Sequence, residues 1–227
     1  MWHVSVGIVA VLVLGASAQA VVLDQVDDFQ DGTVAAWAEG ISSPNPPVNI
    51  ATGGPAGAGD RYLELVSSGV PGAGGRQVMF NQAQWAGDYV TAGVNRITGR
   101  MNNFGPSDLA MRLAFTTGDG TIYVSTNPVN LPSGGGWQAV SFDLTPDGLS
   151  LASGTSDLAT ALSDITELRI LSSAAGGTVL GDELASTLGV DNLHATVVPE
   201  PAALTLAMAG VLVGMGRRGR ETLARGT

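Results

Sequence analysis

LAMRLAF, residues 109–115, decides how the rest of the chain is read. Leu109, Met111, Leu113 and Phe115 alternate with Ala110, Arg112 and Ala114. That period of two describes a β-strand with one face in a core and the other toward water. QAVSFDL (138–144) repeats it, with Val140, Phe142 and Leu144 inward and Ser141 and Asp143 outward. RYLELV (61–66) sets Leu63 and Leu65 together, opposite Glu64. Further strands are expected near 77–81, 97–102, 121–125, 166–171 and 190–197. TTGDGTIY (116–123) reads as a hairpin, because Asp119-Gly120 accepts positive φ. One short helix is expected, in TSDLATALSDI (155–165), with Ser156 as its cap. Many short strands, frequent turn signals and no internal repeat predict an all-β fold, an antiparallel jelly-roll β-sandwich.

Composition agrees. The chain has 227 residues, enough for one substantial domain between its two termini, and its 32 glycines suit many turns. It has no cysteine, which excludes disulfides, zinc-thiolate sites and thiol nucleophiles. The net charge is −10, and four of the ten basic residues (Arg217, Arg218, Arg220 and Arg225) fall near the C-terminus. A body so short of cations is not expected to bind nucleic acid.

The termini carry different signals. MWHVSVGIVAVLVLGASAQA (1–20) has an apolar stretch, Val4 to Leu14, ahead of the small-x-small pattern Ala18-Gln19-Ala20. This is a signal peptide by pattern, although Trp2 and His3 stand where basic residues are usual. At the other end, Pro199-Glu200-Pro201 precedes an uncharged run, 202–216, closed by Arg217-Arg218. The run reads as a short membrane helix, with the arginines held on the cytoplasmic side. Three parts in that order resemble the PEP-CTERM sorting signal of exported bacterial proteins. The resemblance implies membrane anchoring before processing, an exosortase-type enzyme as partner and an exopolysaccharide setting. Segments are thus expected at 1–20 (signal), 21–198 (sandwich) and 199–227 (sorting tail).

Within the body, VDDFQDGTVAAWAEG (26–40), GWQAVSFDL (136–144) and TLGVDNLHAT (187–196) resemble jelly-roll carbohydrate-binding modules and their galactose-binding-like relatives. In those proteins an opening acidic-Phe strand pairs with a closing VDN strand. They often hold a structural calcium ion between the two. The matching residues here are Asp28, Gln30, Asp60 and Asp191, with Gln30 where the family usually has Glu. Independently, strand alternation puts Asp191 on one face with Leu193, Ala195 and Val197. A carboxylate facing a core needs a partner, and a hard cation is one.

Chemistry-bearing residues are few. His194 is the one histidine outside the leader, and no Gly-x-Ser-x-Gly elbow is present. Asp27, Asp28, Asp31, Glu64, Asp143 and Asp191 fall mostly at strand ends and turns, where acids serve turn geometry. Trp37 and Trp137 read as core. Trp85, in the polar stretch NQAQWAGDYV (81–90), reads with Tyr89 as an exposed platform for a sugar ring. The expectation is an exported, non-catalytic cell-surface or extracellular-matrix protein that associates with exopolysaccharide. The alternatives are a lectin-like module and a carboxylate-based glycoside hydrolase. Two carboxylates about 5–10 Å apart in a groove would select the hydrolase.

Overall fold

A computed structural model describes residues 20–40 and 42–198. The leader, the Pro-Glu-Pro motif, the 202–216 run and Arg217-Arg218 lie outside the described residues. Among those described, no helix is long and apolar enough to cross a membrane.

Two antiparallel sheets form the sandwich expected from the alternation. The first contains β1 (Val26–Asp27), β2 (Val48–Ile50), β3 (Tyr62–Ser68), β5 (Arg96–Asn103), β9 (Gln138–Asp143) and β12 (Ala185–Thr196). Its order is β2-β3-β12-β5-β9, with β1 also paired to β12. The second contains β4 (Val78–Asn81), β6 (Leu109–Thr117), β7 (Ile122–Ser125), β8 (Val129–Leu131), β10 (Leu149–Ser153) and β11 (Ile165–Ser172). Its order is β10-β7-β6-β11-β4, with β8 also paired to β6. The opening acidic strand does pair with the closing VDN strand, through Val26↔His194 and Asp27↔Leu193.

The core lies between the sheets. Leu63, Leu65, Ile97, Met101, Phe142, Leu188 and Val190 meet Met79, Leu113, Phe115, Leu168 and Ile170, and all are buried. The 117–121 hairpin forms with Gly120 at φ 82°, and Asp119 accepts hydrogen bonds from Thr117, Thr121 and Ser156.

Three local expectations need correction. First, the outer face of β6 is not wet: Arg112 is 5% exposed and Ala114 is fully buried. Arg112 donates to the carbonyls of Ser173 (2.7 Å), Ser125 (2.6 Å) and Thr126 (2.9 Å), strapping the chain after β11 across the sheet. Under that cover Ala114, Val124 and Leu171 make a second small apolar cluster. Second, helix α2 (Leu158–Leu162) is capped by Asp157, which accepts from the Thr160 N–H, rather than by Ser156. The Ser156 hydroxyl is occupied with Asp119. Third, β12 slips by one residue: Asp191 pairs with Arg100 and His194 with Thr98, so Asn192 and Leu193 together oppose Gly99. Asn192, at φ 51°, absorbs this bulge. Val190 and Leu193 therefore both face the core, and Asp191 does not share the phase of Leu193 and Ala195.

Candidate functional site

Trp85 is fully buried and cannot stack on a sugar. Its indole N–H donates to Asp27 Oδ2 at 2.7 Å, and Trp37 donates to the same oxygen at 2.8 Å. The two rings lie 6.3 Å apart. Tyr89 is also fully buried, in a short helix α1 (Tyr89–Ala92), with its hydroxyl donating to the Trp85 carbonyl. The polar residues around Trp85 made the segment look exposed, but they serve an inward turn: the Asn81 carboxamide accepts from the Ala83 N–H at 2.9 Å. Asp27 supplies the acceptor that lets two indoles enter a core. Burial raises the Asp27 pKa against the lowering effect of those donors.

The aromatic surface is elsewhere, on the outer face of the first sheet. Tyr62 on β3, Phe104 just after β5 and Trp137 just before β9 form a triad. Ring centroids are 5.6 Å apart for Tyr62–Phe104, 5.3 Å for Tyr62–Trp137 and 5.9 Å for Phe104–Trp137. Phe104 is 46% exposed and Trp137 is half-buried, so Trp137 is not the core residue expected. The rings stand over Gly189 of β12. A Cβ there would come within 2.7 Å of Phe104 and 2.9 Å of Trp137, so only glycine lets them lie on the strand. Trp137 is fixed by donating its N–H to the Gly53 carbonyl at 2.9 Å. Tyr62 donates to Glu64 at 3.3 Å, and burial with that carboxylate pushes its phenol up to about 12. Val48 and Val66, both exposed, extend the apolar surface toward β2.

Two of these rings, Tyr62 and Trp137, were readable from the alternation of β3 and β9; Phe104 follows only once the phase of β5 is known. With Leu63, Met101 and Val140 facing inward, Tyr62, Phe104 and Trp137 must fall on the opposite side of their strands.

Beside the triad the same face sinks into a shallow trough of about 550 Å³. Arg96, Thr98, Arg100, Ser141, Asn192 and His194 line it. Five hollows on the described surface, this one the largest, are each lined by at most one carboxylate.

Residues of the expected cation site do approach one another. On the side of β12 away from β5, β3 pairs as far as Val190 and β1 begins again at Leu193, leaving a gap at the bulge. Asp191 sits there fully buried, accepting only from the backbone and side-chain N–H groups of Asn192. Burial, with Asp60 and Asp28 nearby, pushes its pKa from 3.8 up to about 7. Gln30 Nε2 donates to three oxygens: Asp28 O (3.0 Å), Asp60 Oδ1 (3.0 Å) and Arg61 O (3.2 Å). Among the described residues, no three His, Cys, Asp or Glu side chains are grouped so as to hold a metal by themselves.

No family model matches the chain, and no curated protein matches it. Solved structures do. An exo-β-agarase aligns over 78% of this chain at 13% identity and TM-score 0.52, and this chain spans 26% of the agarase. A family 11 carbohydrate-binding module from Clostridium thermocellum, in complex with a β-1,3-1,4-mixed-linked tetrasaccharide, aligns over 79% of this chain and 98% of the module. Identity there is 13% and the TM-score 0.49. A solution structure of CtCBM11 gives 82% and 99% coverage, 16% identity and TM-score 0.49. At these identities the agarase match establishes the fold and nothing further.

Proposed function

We propose that this chain is an exported, non-catalytic protein that binds polysaccharide on the outer face of its first sheet. The observation that carries the reading is the Tyr62–Phe104–Trp137 triad on Gly189, a preformed aromatic surface bordered by Glu64 and Asn102. Pyranose rings stack on such surfaces, and the neighbouring polar groups can meet their hydroxyls. A hydrolase is disfavoured because the trough carries arginines and no pair of acids. Affinity electrophoresis of the full-length protein through gels containing neutral glucans and galactans tests this. Retardation that Trp137→Ala abolishes is expected; equal mobility in every gel would overturn the reading.

A structural calcium ion belongs to the same proposal. Asp28, Asp60 and Asp191, with the Asp28 and Arg61 carbonyls, offer the oxygen ligands a hard cation takes. Gln30 fits as well, because its carboxamide already sits where oxygens converge and can turn its own oxygen toward a cation. When bound, the ion would neutralise the buried Asp191 carboxylate and tie β1 to β12.

Export and sorting rest on the sequence pattern at the termini. Replacing Pro199-Glu200-Pro201 with three alanines should leave unprocessed protein in the membrane of a host with an exosortase. Unchanged processing would remove the tail from the proposal.

A further inference from the structure

The trough next to the aromatic triad has its own chemistry. Six arginines lie among the described residues, and five are engaged. Arg61 donates to Asn49, Arg76 pairs with Glu183, Arg96 pairs with Asp143, Arg112 binds carbonyls, and Arg169 pairs with Glu167 while covering Phe80. Arg100 alone shows no hydrogen bond or ion pair, and its side chain is exposed in the trough. Acids outnumber bases two to one in this chain, 20 against 10, yet among the described residues none stands within 4 Å of that guanidinium. Asp191, its cross-strand neighbour, is turned into the β12 gap and bonded to Asn192.

Position links this cation to the rings. Arg100, Asn102 and Phe104 are spaced by two along β5, so all three project from the same face. From Arg100 to Phe104 is about 14 Å at roughly 3.4 Å per residue. A short oligosaccharide spans that distance, with one ring on the triad and another above Arg100. Thr98 and Ser141, paired across β5 and β9, add hydroxyls beside Arg100 on the side away from Phe104.

We infer that the polysaccharide bound here is anionic, and that Arg100 receives the carboxylate of a uronic acid or a sulfate ester while the triad stacks a neighbouring ring. The guanidinium fork matches both anions in shape and charge. The chain's net charge of −10 opposes an anionic polymer at long range. That repulsion is screened beyond about 8 Å at physiological salt, whereas a contact ion pair is screened less. This inference rests on the proposed glycan-binding face and names the ligand class for it.

The test is calorimetric titration of the full-length protein, in mild detergent and about 0.15 M salt, with three oligosaccharides: oligogalacturonate, a sulfated galactan fragment and a neutral mixed-linked glucan. Wild type should bind an anionic ligand more tightly than the neutral one, and the carboxylated and sulfated arms identify which anion. Losing one charge-assisted contact should make Arg100→Ala about tenfold to a hundredfold weaker for that ligand. Arg100→Lys should recover part of the loss, and neutral glucan binding should weaken by much less than anionic binding does. Neutral binding without anionic preference, or an anionic preference that Arg100→Ala leaves intact, overturns this inference while leaving the glycan face standing. No binding by any of the three overturns both.

Discussion

The outer faces of the two sheets began from the same alternation and ended differently. On the second sheet, Arg112 and the chain after β11 seal the surface, and Ala114, Val124 and Leu171 become a small core. On the first, Phe104 and Trp137 stay accessible and Arg100 is unengaged. A strand's second face is therefore not defined as wet by its pattern; it is defined by whether a later segment returns to cover it. Among the described residues that return has occurred on one side only, and the open side is the one with rings and a cation.

The most severe way to break the comparison is to unseal the covered face. Arg112→Ala leaves the Ser125, Thr126 and Ser173 carbonyls without their donor. Stability should fall by about 3 kcal/mol or more, since each buried acceptor left unpaired costs roughly 1–3 kcal/mol. Denaturant unfolding measures it, and a loss under about 1 kcal/mol would show that the strap is dispensable.

A middle-sized effect is expected at the β12 gap. Asp191 has a folded pKa of about 7 against an ordinary 3.8, so the folded chain holds that proton more firmly than the unfolded one. In chelator, stability should be greatest at the acid end of this window, fall as pH rises from about 4 to about 7, and level off above. The fall amounts to about 4 kcal/mol at most, at 1.36 kcal/mol per pKa unit. Calcium, which needs the ionised carboxylate, should cancel it at pH 8. Asp191→Asn should flatten most of the slope and abolish the calcium response, leaving a smaller residue from Asp27, which burial also raises. Thermal melts at pH 5 and pH 8, with chelator and then calcium, decide the matter. Identical wild-type melts in all four conditions would mean that the gap neither traps a proton nor takes an ion.

The smallest effect on folding should come from the open face. Phe104→Ala removes a ring already 46% exposed, so the melt should move little, by about 1 kcal/mol or less, while glycan retardation is lost. A large destabilisation would reclassify the triad as core and weaken the case for a binding surface.

The fold was legible because three strands alternate cleanly. The inward residues of β3, β6 and β9 lie where that pattern puts them. The open site was legible in part: fixing Leu63 and Val140 inward fixes Tyr62 and Trp137 outward, whereas Phe104 needs the phase of β5, which RITGRMNN does not display by alternation. Polarity of the local sequence misled where the strands stop. Around Trp85 the polar side chains bond to the backbone and to the distant carboxylates of Glu167 and Asp27, and the indole finds Asp27, 58 residues away in sequence. Nothing in a window of neighbours reports a partner at that distance. The β12 bulge leaves only a small trace: Leu188 and Val190 keep one phase, Leu193 and Ala195 the other, and the two polar residues between them mark the slip without showing which partner strand it is measured against.

The tryptophans of the body also divide the molecule optically. Trp37 and Trp85 share one carboxylate oxygen in the interior, so their emission reports how the opening strand is seated and should be indifferent to what touches the surface. Trp137 alone stands where a sugar would arrive. Light from this protein therefore carries two separable messages. A polysaccharide that docks on the first sheet should change one indole of the three, and acid that protonates Asp27 should change the other two.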